Sequence, residues 1–348
     1  MNEFSKHLVP HHSKAIEALN ALNNLGADAI LFVVNENQKL IGSLTDGDIR
    51  RGLLKGISIE ENVKNFIQLN PKFIDKTNYS LQQVLALREG NFKIVPILND
   101  RGEIIKVLNF RHLKSYLPLD VVIMAGGRGQ RLAPLTDDKP KPLIPVGNKP
   151  IIEHNIDRLV SYGVDDFWIS VKYLGEQIEH YLGDGKNKGI EINYVWEDEP
   201  LGTIGSVSKI KNFNHDTILV TNSDLFTNIN YEDFYLDFLE SGADFSVAST
   251  PYVVNVPYAV LETDKMNVTA FREKPTYTYY SNAGIYLFKK SALEFIPEHA
   301  FFNATDFMEA MLAKGKTLRT YPIRGYWLDI GNHEDYQKAL NDFEHIQF

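Results

Sequence analysis

Short apolar runs alternating with amphipathic stretches organise the last two-thirds of the chain. Residues 121–125, 167–172, 191–196 and 217–221 are runs of strand length, rich in β-branched and aromatic residues. Between them lie stretches with helical spacing. The clearest is 150–160, where Ile151, Ile152, Ile156, Leu159 and Val160 recur at helical intervals; 175–182 and 205–210 follow the same logic. Strands that alternate with helices predict a mostly parallel sheet covered on both faces, an α/β architecture. Ligands then bind beyond the carboxyl ends of the strands.

The first third has a different pattern, an internal repeat. Residues 26–49 and 90–113 align without gaps at an offset of 64. Each copy predicts a buried strand, a polar turn (35–37 and 99–102), a second strand and the start of a helix. Helical spacing precedes each copy, at 16–25 and 81–88. A duplicated unit of this length buries its core against its copy. Pro118, just ahead of a new apolar run, marks a boundary, so the chain is expected to divide into 1–118 and 119–348.

Composition narrows the classes. The chain has 348 residues, suited to two domains, and is 44% hydrophobic. It has no cysteine, which excludes disulfides, thiolate catalysis and Cys-bound zinc. The formal charge of −9 and the lack of a basic block argue against nucleic acid as partner. No apolar run approaches the roughly 20 residues that span a bilayer, and residues 1–12 lack a signal-peptide core. A cytoplasmic protein with no membrane partner is the expectation. The ten histidines show no ligand spacing.

Candidate chemistry is concentrated after the run at 121–125. Residues 126–145 read G-G-R-G-Q-R-L-A-P-L-T-D-D-K-P-K-P-L-I-P. Glycines let backbone N–H groups reach phosphate oxygens, and Arg131 and Lys141 can neutralise a polyphosphate. Arg128 and Lys139 add to the local positive charge. No G-K-[ST] follows the glycines, so this is not a Walker A loop. Asp224, in T-N-S-D-L, follows the strand at 217–221, and Asp329 sits in G-Y-W-L-D-I-G. A pair of carboxylates suits Mg²⁺, although a lone Asp at a strand end is more often a helix cap. Thr203, ahead of a helical stretch, reads by itself as a cap.

These motifs resemble the sugar-phosphate nucleotidyltransferases, whose opening pattern is G-G-x-G-x-R-L-x-P-L-T followed by K-P-x-x-P. The likeness runs to the C-terminus and implies a Rossmann-like, mostly parallel sheet. It implies that Arg131 and Lys141 are catalytic and that Asp224 and Asp329 hold Mg²⁺. It places Ala125, Gly126, Gly127, Gly129, Leu201, Gly202, Thr203 and Ser223 at the nucleotide. Glu273, Lys274, Asn282 and Gly284 match the E-K-P and N-x-G elements of the sugar-1-phosphate pocket. The Leu201-Gly202-Thr203 form is similar to guanylyltransferases, so GTP and a hexose or amino-hexose 1-phosphate are the expected substrates. Uridylyl, cytidylyl or thymidylyl transfer, or a silent nucleotide sensor, are the alternatives. Ala259 stands where relatives often have glycine, which leaves the sugar open.

The first third resembles a tandem CBS pair, an α+β regulatory module that often binds nucleotides. The resemblance rests on the repeat and on Gly42-Ser43-Leu44-Thr45-Asp46-Gly47-Asp48. It implies that Thr45 and Asp48 contact a regulatory nucleotide. Both types also suit a helix cap, and the second copy has Asn109 and His112 at the equivalent positions. At most one competent site is expected, with pair-mediated dimerisation as a further reading and a homo-oligomer as the expected assembly.

Overall fold

The computed structural model describes residues 3–346. Two compact units emerge, Met1–Tyr116 and Leu117–Phe348.

The first unit is built twice from the same parts. The first copy has β1 (Leu8–Pro10), α1 (Ala15–Leu25), β2 (Leu31–Val34), β3 (Leu40–Leu44) and α2 (Asp46–Leu54). The second has β4 (Ile74–Asp75), α3 (Leu81–Glu89), β5 (Ile94–Leu98) and β6 (Ile104–Asn109). Each forms a three-stranded sheet, β1-β2-β3 and β4-β5-β6, with a parallel pair and then an antiparallel one. The register slips at matching places, between Val33 and Val34 and between Ile97 and Leu98. β2 and β5 are buried along their whole length, as their unbroken apolar runs require.

The copies part company after their last strands. The first continues into α2, whose start is closed by a capping box between Thr45 and Asp48. The second makes a single turn at 110–112 instead of the expected helix. His112 and Leu113 both donate to the Asn109 carbonyl, at 3.0 and 2.9 Å, and the helix stops there. The Asn109 side chain turns back on the chain, accepting from the Arg111 N–H at 3.0 Å and donating to Asp28 at 2.8 Å. His112 stands where an acidic residue would close the box, so the reciprocal half of the first copy's capping box has no counterpart here.

The second unit holds β7 (Asp120–Met124), the small hairpin β8 (Pro145–Val146) and β9 (Lys149–Pro150), α4 (Ile151–Ser161), β10 (Asp166–Val171), α5 (Gly175–Leu182) and β11 (Glu191–Trp196). It continues with β12 (Thr217–Asn222), β13 (Leu225–Thr227), α6 (Tyr231–Ser241), β14 (Phe245–Asn255), β15 (Val260–Asp264), β16 (Asn267–Arg272) and β17 (Thr276–Lys289). The last elements are α7 (Ala304–Ala313), β18 (Leu318–Pro322), β19 (Trp327–Asp329) and α8 (His333–Phe343). Seven strands form the central sheet in the order β11-β10-β7-β12-β17-β14-β18. Its β11-β10-β7-β12 block and its β14-β18 edge are parallel, and β17 runs antiparallel to both neighbours.

Beneath β12 and β17 the core is aromatic. Phe245 stacks on Phe288 at 6.0 Å between ring centroids, and Phe307 of α7 meets both edge-on at 5.5 and 5.3 Å. The helix expected at 205–210 is a five-residue 3-10 turn, Gly205–Lys209. Ser208 Oγ donates to the Gly205 carbonyl at 2.7 Å, taking the acceptor that an α-helix would use. Among the described residues no helix is long and apolar enough to cross a membrane.

Candidate active site

The carboxyl ends of β7, β10, β11 and β12 open on one cavity of about 660 Å³. Their parallel alignment puts the residue after each strand at the same edge of the sheet. β7 delivers the glycine loop, β10 delivers Lys172, β11 delivers Glu197, and β12 delivers Asn222, Ser223 and Asp224.

Gly126 and Gly127 line the cavity. A Cβ on Gly126 would come within 3.1 Å of Glu197 Oε1, whereas Gly127 faces open space. Gly129 does a different job. Its φ of +64° is in the left-handed region, and a Cβ there would meet Lys141 Cβ at 2.9 Å. It supports the Lys141 stem from behind. Ala125 is likewise buried, its N–H bonded to the Ser170 carbonyl at 2.8 Å.

Lys141 opens a short 3-10 turn and is buried to 8% exposure. Its Nζ pairs with Asp224 Oδ2 and lies 4.0 Å from Asp329 Oδ1. The two aspartates are about a hundred residues apart in sequence. They meet because β13 and β19 form an antiparallel ladder with Leu225 opposite Asp329, and Ile330 N–H donates to the Asp224 carbonyl at 3.1 Å. Asp224 Oδ1 and Asp329 Oδ1 are both buried without a hydrogen-bond partner. Burial first, then the Asp224 charge, push the Asp329 carboxyl above the usual carboxylate range; Lys141 and Arg131 pull the other way. Two unpartnered carboxylate oxygens beside one ammonium form a hard-oxygen donor pair that fits a divalent cation. No cluster of three or more His, Cys, Asp or Glu with metal-site geometry is present among the described residues.

Arg131 is exposed, on the turn Gln130–Leu132, and its guanidinium lies against Gly331, 3.3 Å from where a Cβ would stand. It belongs to the Asp329 side and is not among the cavity-lining residues; Arg128 is. Arg128 is carried 5.4 Å above the Tyr173 ring.

The far wall is the loop 197–205. Glu197, buried to 8% exposure, accepts from Ser170 Oγ at 2.6 Å and from the Leu201 N–H at 3.0 Å. Gly202 and Thr203 line the cavity, with Leu201 buried behind them. Thr203 does not cap the turn that follows it. Its Oγ1 accepts from Ala304 N–H at 2.9 Å and so caps α7 instead. Ser223 also lines the cavity, its N–H bonded to the Met124 carbonyl at 3.1 Å.

The expected sugar-side residues are not among those lining this cavity. Gly284 (φ +73°) sits behind the cavity-lining Asn222, whose Nδ2 is 2.7 Å from the site of a Cβ. Asn282 Nδ2 donates to the Tyr286 hydroxyl at 3.0 Å. Glu273 and Lys274 occupy an exposed bend between β16 and β17, and none of these four lines the cavity. Lys172, Glu197 and Asn222 were missed by motif reading. Their signal was positional: each ends or follows a strand at the ligand-facing edge.

In the first unit, Thr45 and Asp48 meet as a cap. Thr45 N–H and Oγ1 bond Asp48 Oδ2 at 2.9 and 2.6 Å, and Arg51 pairs with Asp48 Oδ1 at 2.5 Å.

Comparison with known proteins bears on the family of the chain. The nucleotidyl transferase family profile matches residues 120–345, and the CBS domain profile matches residues 7–55. A mannose-1-phosphate guanylyltransferase of Mycobacterium tuberculosis is 31% identical over 231 residues, which cover 64% of this chain and 64% of that protein. A D-glycero-alpha-D-manno-heptose 1-phosphate guanylyltransferase of Aneurinibacillus thermoaerophilus is 30% identical over 230 residues, covering 65% of this chain and 99% of that one. The crystal structure of HddC from Yersinia pseudotuberculosis superposes with a TM-score of 0.51 at 29% identity, over 64% of this chain and 99% of that one. From residue 120 onward the chain belongs to the nucleotidyl transferase family, and a CBS domain precedes that part.

Proposed function

We propose that the chain transfers a nucleotidyl group from a nucleoside triphosphate to a sugar 1-phosphate. An oxygen of the sugar phosphate attacks the α-phosphorus, the α–β bridging bond breaks, and pyrophosphate leaves with the electron pair. The nucleophile is already an anion, so the protein needs no base. Its task is positioning and charge neutralisation. Lys141 is the group for this, a nearly buried ammonium held by Asp224 beside the glycine loop. Arg128 borders the cavity and Arg131 stands on the Asp329 side, ready for the outer phosphates. Asp224 and Asp329 would hold Mg²⁺, which when bound supplies further neutralisation of phosphoryl oxygens.

The observation that carries this reading is the Lys141–Asp224–Asp329 cluster, with two unpartnered carboxylate oxygens, one of them on the cavity-lining Asp224. Guanine is the favoured base. Two relatives at 30–31% identity are named guanylyltransferases, and the Leu201-Gly202-Thr203 loop borders the cavity. The acceptor is a hexose or amino-hexose 1-phosphate, or a heptose 1-phosphate as in the name of one relative. A nucleotide at the CBS part is proposed to modulate turnover in a homo-oligomeric enzyme.

The test is pyrophosphate release from four nucleoside triphosphates against a set of sugar 1-phosphates, with and without added AMP, ATP or nucleotide-sugar. GTP with one sugar phosphate should release pyrophosphate fastest. Silence in every combination would leave the sensor reading in its place. Unchanged kcat and KM with every added nucleotide would remove the regulatory part.

A further inference from the structure

Phe301 borders the same cavity yet is 62% exposed. Most phenylalanines of the second unit, such as Phe167, Phe226, Phe234 and Phe307, are essentially fully buried. A phenyl ring left in water at the mouth of a cavity gives up stabilisation that any flat, apolar partner would restore.

The backbone beside this ring is firmly held. Phe302 N–H donates to the Leu201 carbonyl at 3.0 Å, and the Phe302 carbonyl accepts from Ile204 and Gly205 at 3.2 and 3.1 Å. Thr203 N–H reaches Asn303 Oδ1 at 3.3 Å, and Thr203 Oγ1 accepts from Ala304. Gly202, at φ +79°, leaves room for this strap, since a Cβ there would stand 2.5 Å from the Phe302 carbonyl oxygen. The ring is thus carried by a segment laced to loop 201–205.

The cavity lining is chemically mixed. Lys141, Arg128 and Asp224, with Gly126 and Gly127, supply groups suited to phosphates and cation, and Lys172 and Glu197 add charge to the wall. Pro200, Gly202 and Phe301 carry no charge and suit a flat ring. We infer that Phe301 is the aromatic wall against which the nucleobase packs, setting nucleotide affinity rather than turnover. This rests on the nucleotidyl-transfer reading. Every base has a π-face, so such a contact strengthens binding without choosing the base. Base identity must be read by other groups.

The experiment is steady-state kinetics of the full chain carrying Phe301→Ala, Phe301→Leu or Phe301→Trp, with nucleotide titrations followed by fluorescence. Phe301→Ala should raise KM for the nucleoside triphosphate about 5- to 150-fold, the span of base–aromatic stacking. The kcat and the KM for sugar 1-phosphate should stay within about twofold. Phe301→Leu should fall between, and Phe301→Trp should keep wild-type KM. In Phe301→Trp, GTP should quench fluorescence beyond the wild-type change, while sugar 1-phosphate alone should not. Wild-type nucleotide KM in both Phe301→Ala and Phe301→Leu overturns the inference. So does a rise in sugar-phosphate KM alone, or a fall in kcat alone. The quenching decides the inference even if no sugar phosphate is turned over, which separates its failure from failure of the proposed reaction.

Discussion

Two aspartate clusters of this chain are built in opposite ways. At Asp48 both carboxylate oxygens are used, one by the Thr45 backbone and hydroxyl, the other by Arg51. At Asp224 and Asp329 each side chain leaves one buried oxygen without a hydrogen-bond partner, and Asp329 is held where ionisation is disfavoured. A satisfied carboxylate stabilises the fold that satisfies it; an unsatisfied one is costly until a ligand arrives. The first cluster is complete as a helix cap, and the second is the one that the proposed function would complete with a ligand.

Four tests would break or sharpen that contrast. The largest effect is expected from Asp224→Asn and Asp329→Asn. Each should abolish metal-dependent pyrophosphate release, and the double variant should be no worse than either single one, because both serve one site. Near-full activity of either variant at ordinary Mg²⁺ would dissolve the cluster as machinery. Next, Lys141→Ala should lower kcat about 10²- to 10³-fold, with a much smaller change in nucleotide binding by equilibrium titration. An unchanged kcat would take Lys141 out of the reaction.

The third test sets stability against activity. Thr45→Ala removes a helix cap and should cost about 1 kcal/mol, read from the denaturant midpoint of the full chain. Asp329→Asn should leave the melting temperature unchanged or raised, because it removes a charge the fold disfavours. A lower melting temperature for Asp329→Asn would mean that its carboxylate is satisfied after all.

The smallest effect concerns a third, fully paired cluster. Lys188 pairs with Glu153 and Asp157, each at 2.7 Å, and Lys149 pairs with Asp157 at 2.5 Å. Burial pushes the Glu153 and Asp157 carboxyls up, but these lysines, with Tyr181 on Glu153, outweigh it and hold both below the usual range. Depressed carboxyls contribute stability above their unfolded pKa, near 4, and lose it as pH falls through the folded value. Lys188→Met should therefore lower the melting temperature at pH 7 and shrink the loss on acidification. Parallel melting curves of wild type and variant from pH 7 to pH 3 would contradict this.

Much of the site was legible because strand ends announce it. The run at 121–125, the glycines after it and the aspartate after β12 are local features, and local features survive in a single sequence. The repeat offset of 64 is visible in residues alone and reappears as matched register slips in two sheets. The missing second-copy helix was written in His112, at the place where Asp48 closes the first copy's box. Motif spacing did not show where Glu273 and Lys274 lie, on an arm where β14 and β17 run beyond the sheet and β15 pairs only with β16.

By itself the sequence showed the strand–helix alternation, the duplicated first unit and the phosphate-suited loop, each of which depends on periodicity or residue type within a short window. Lys141, Asp224 and Asp329 were singled out as candidates by the resemblance their motifs carry. Tertiary structure alone decided that β13 pairs with β19, which sets Asp329 beside Asp224 and leaves one oxygen of each unpartnered. It also decided that Thr203 caps α7 and that Phe301 stands at the cavity mouth. These are pairings between segments about a hundred residues apart, set by which backbone groups and apolar faces satisfy one another once the chain has closed on itself.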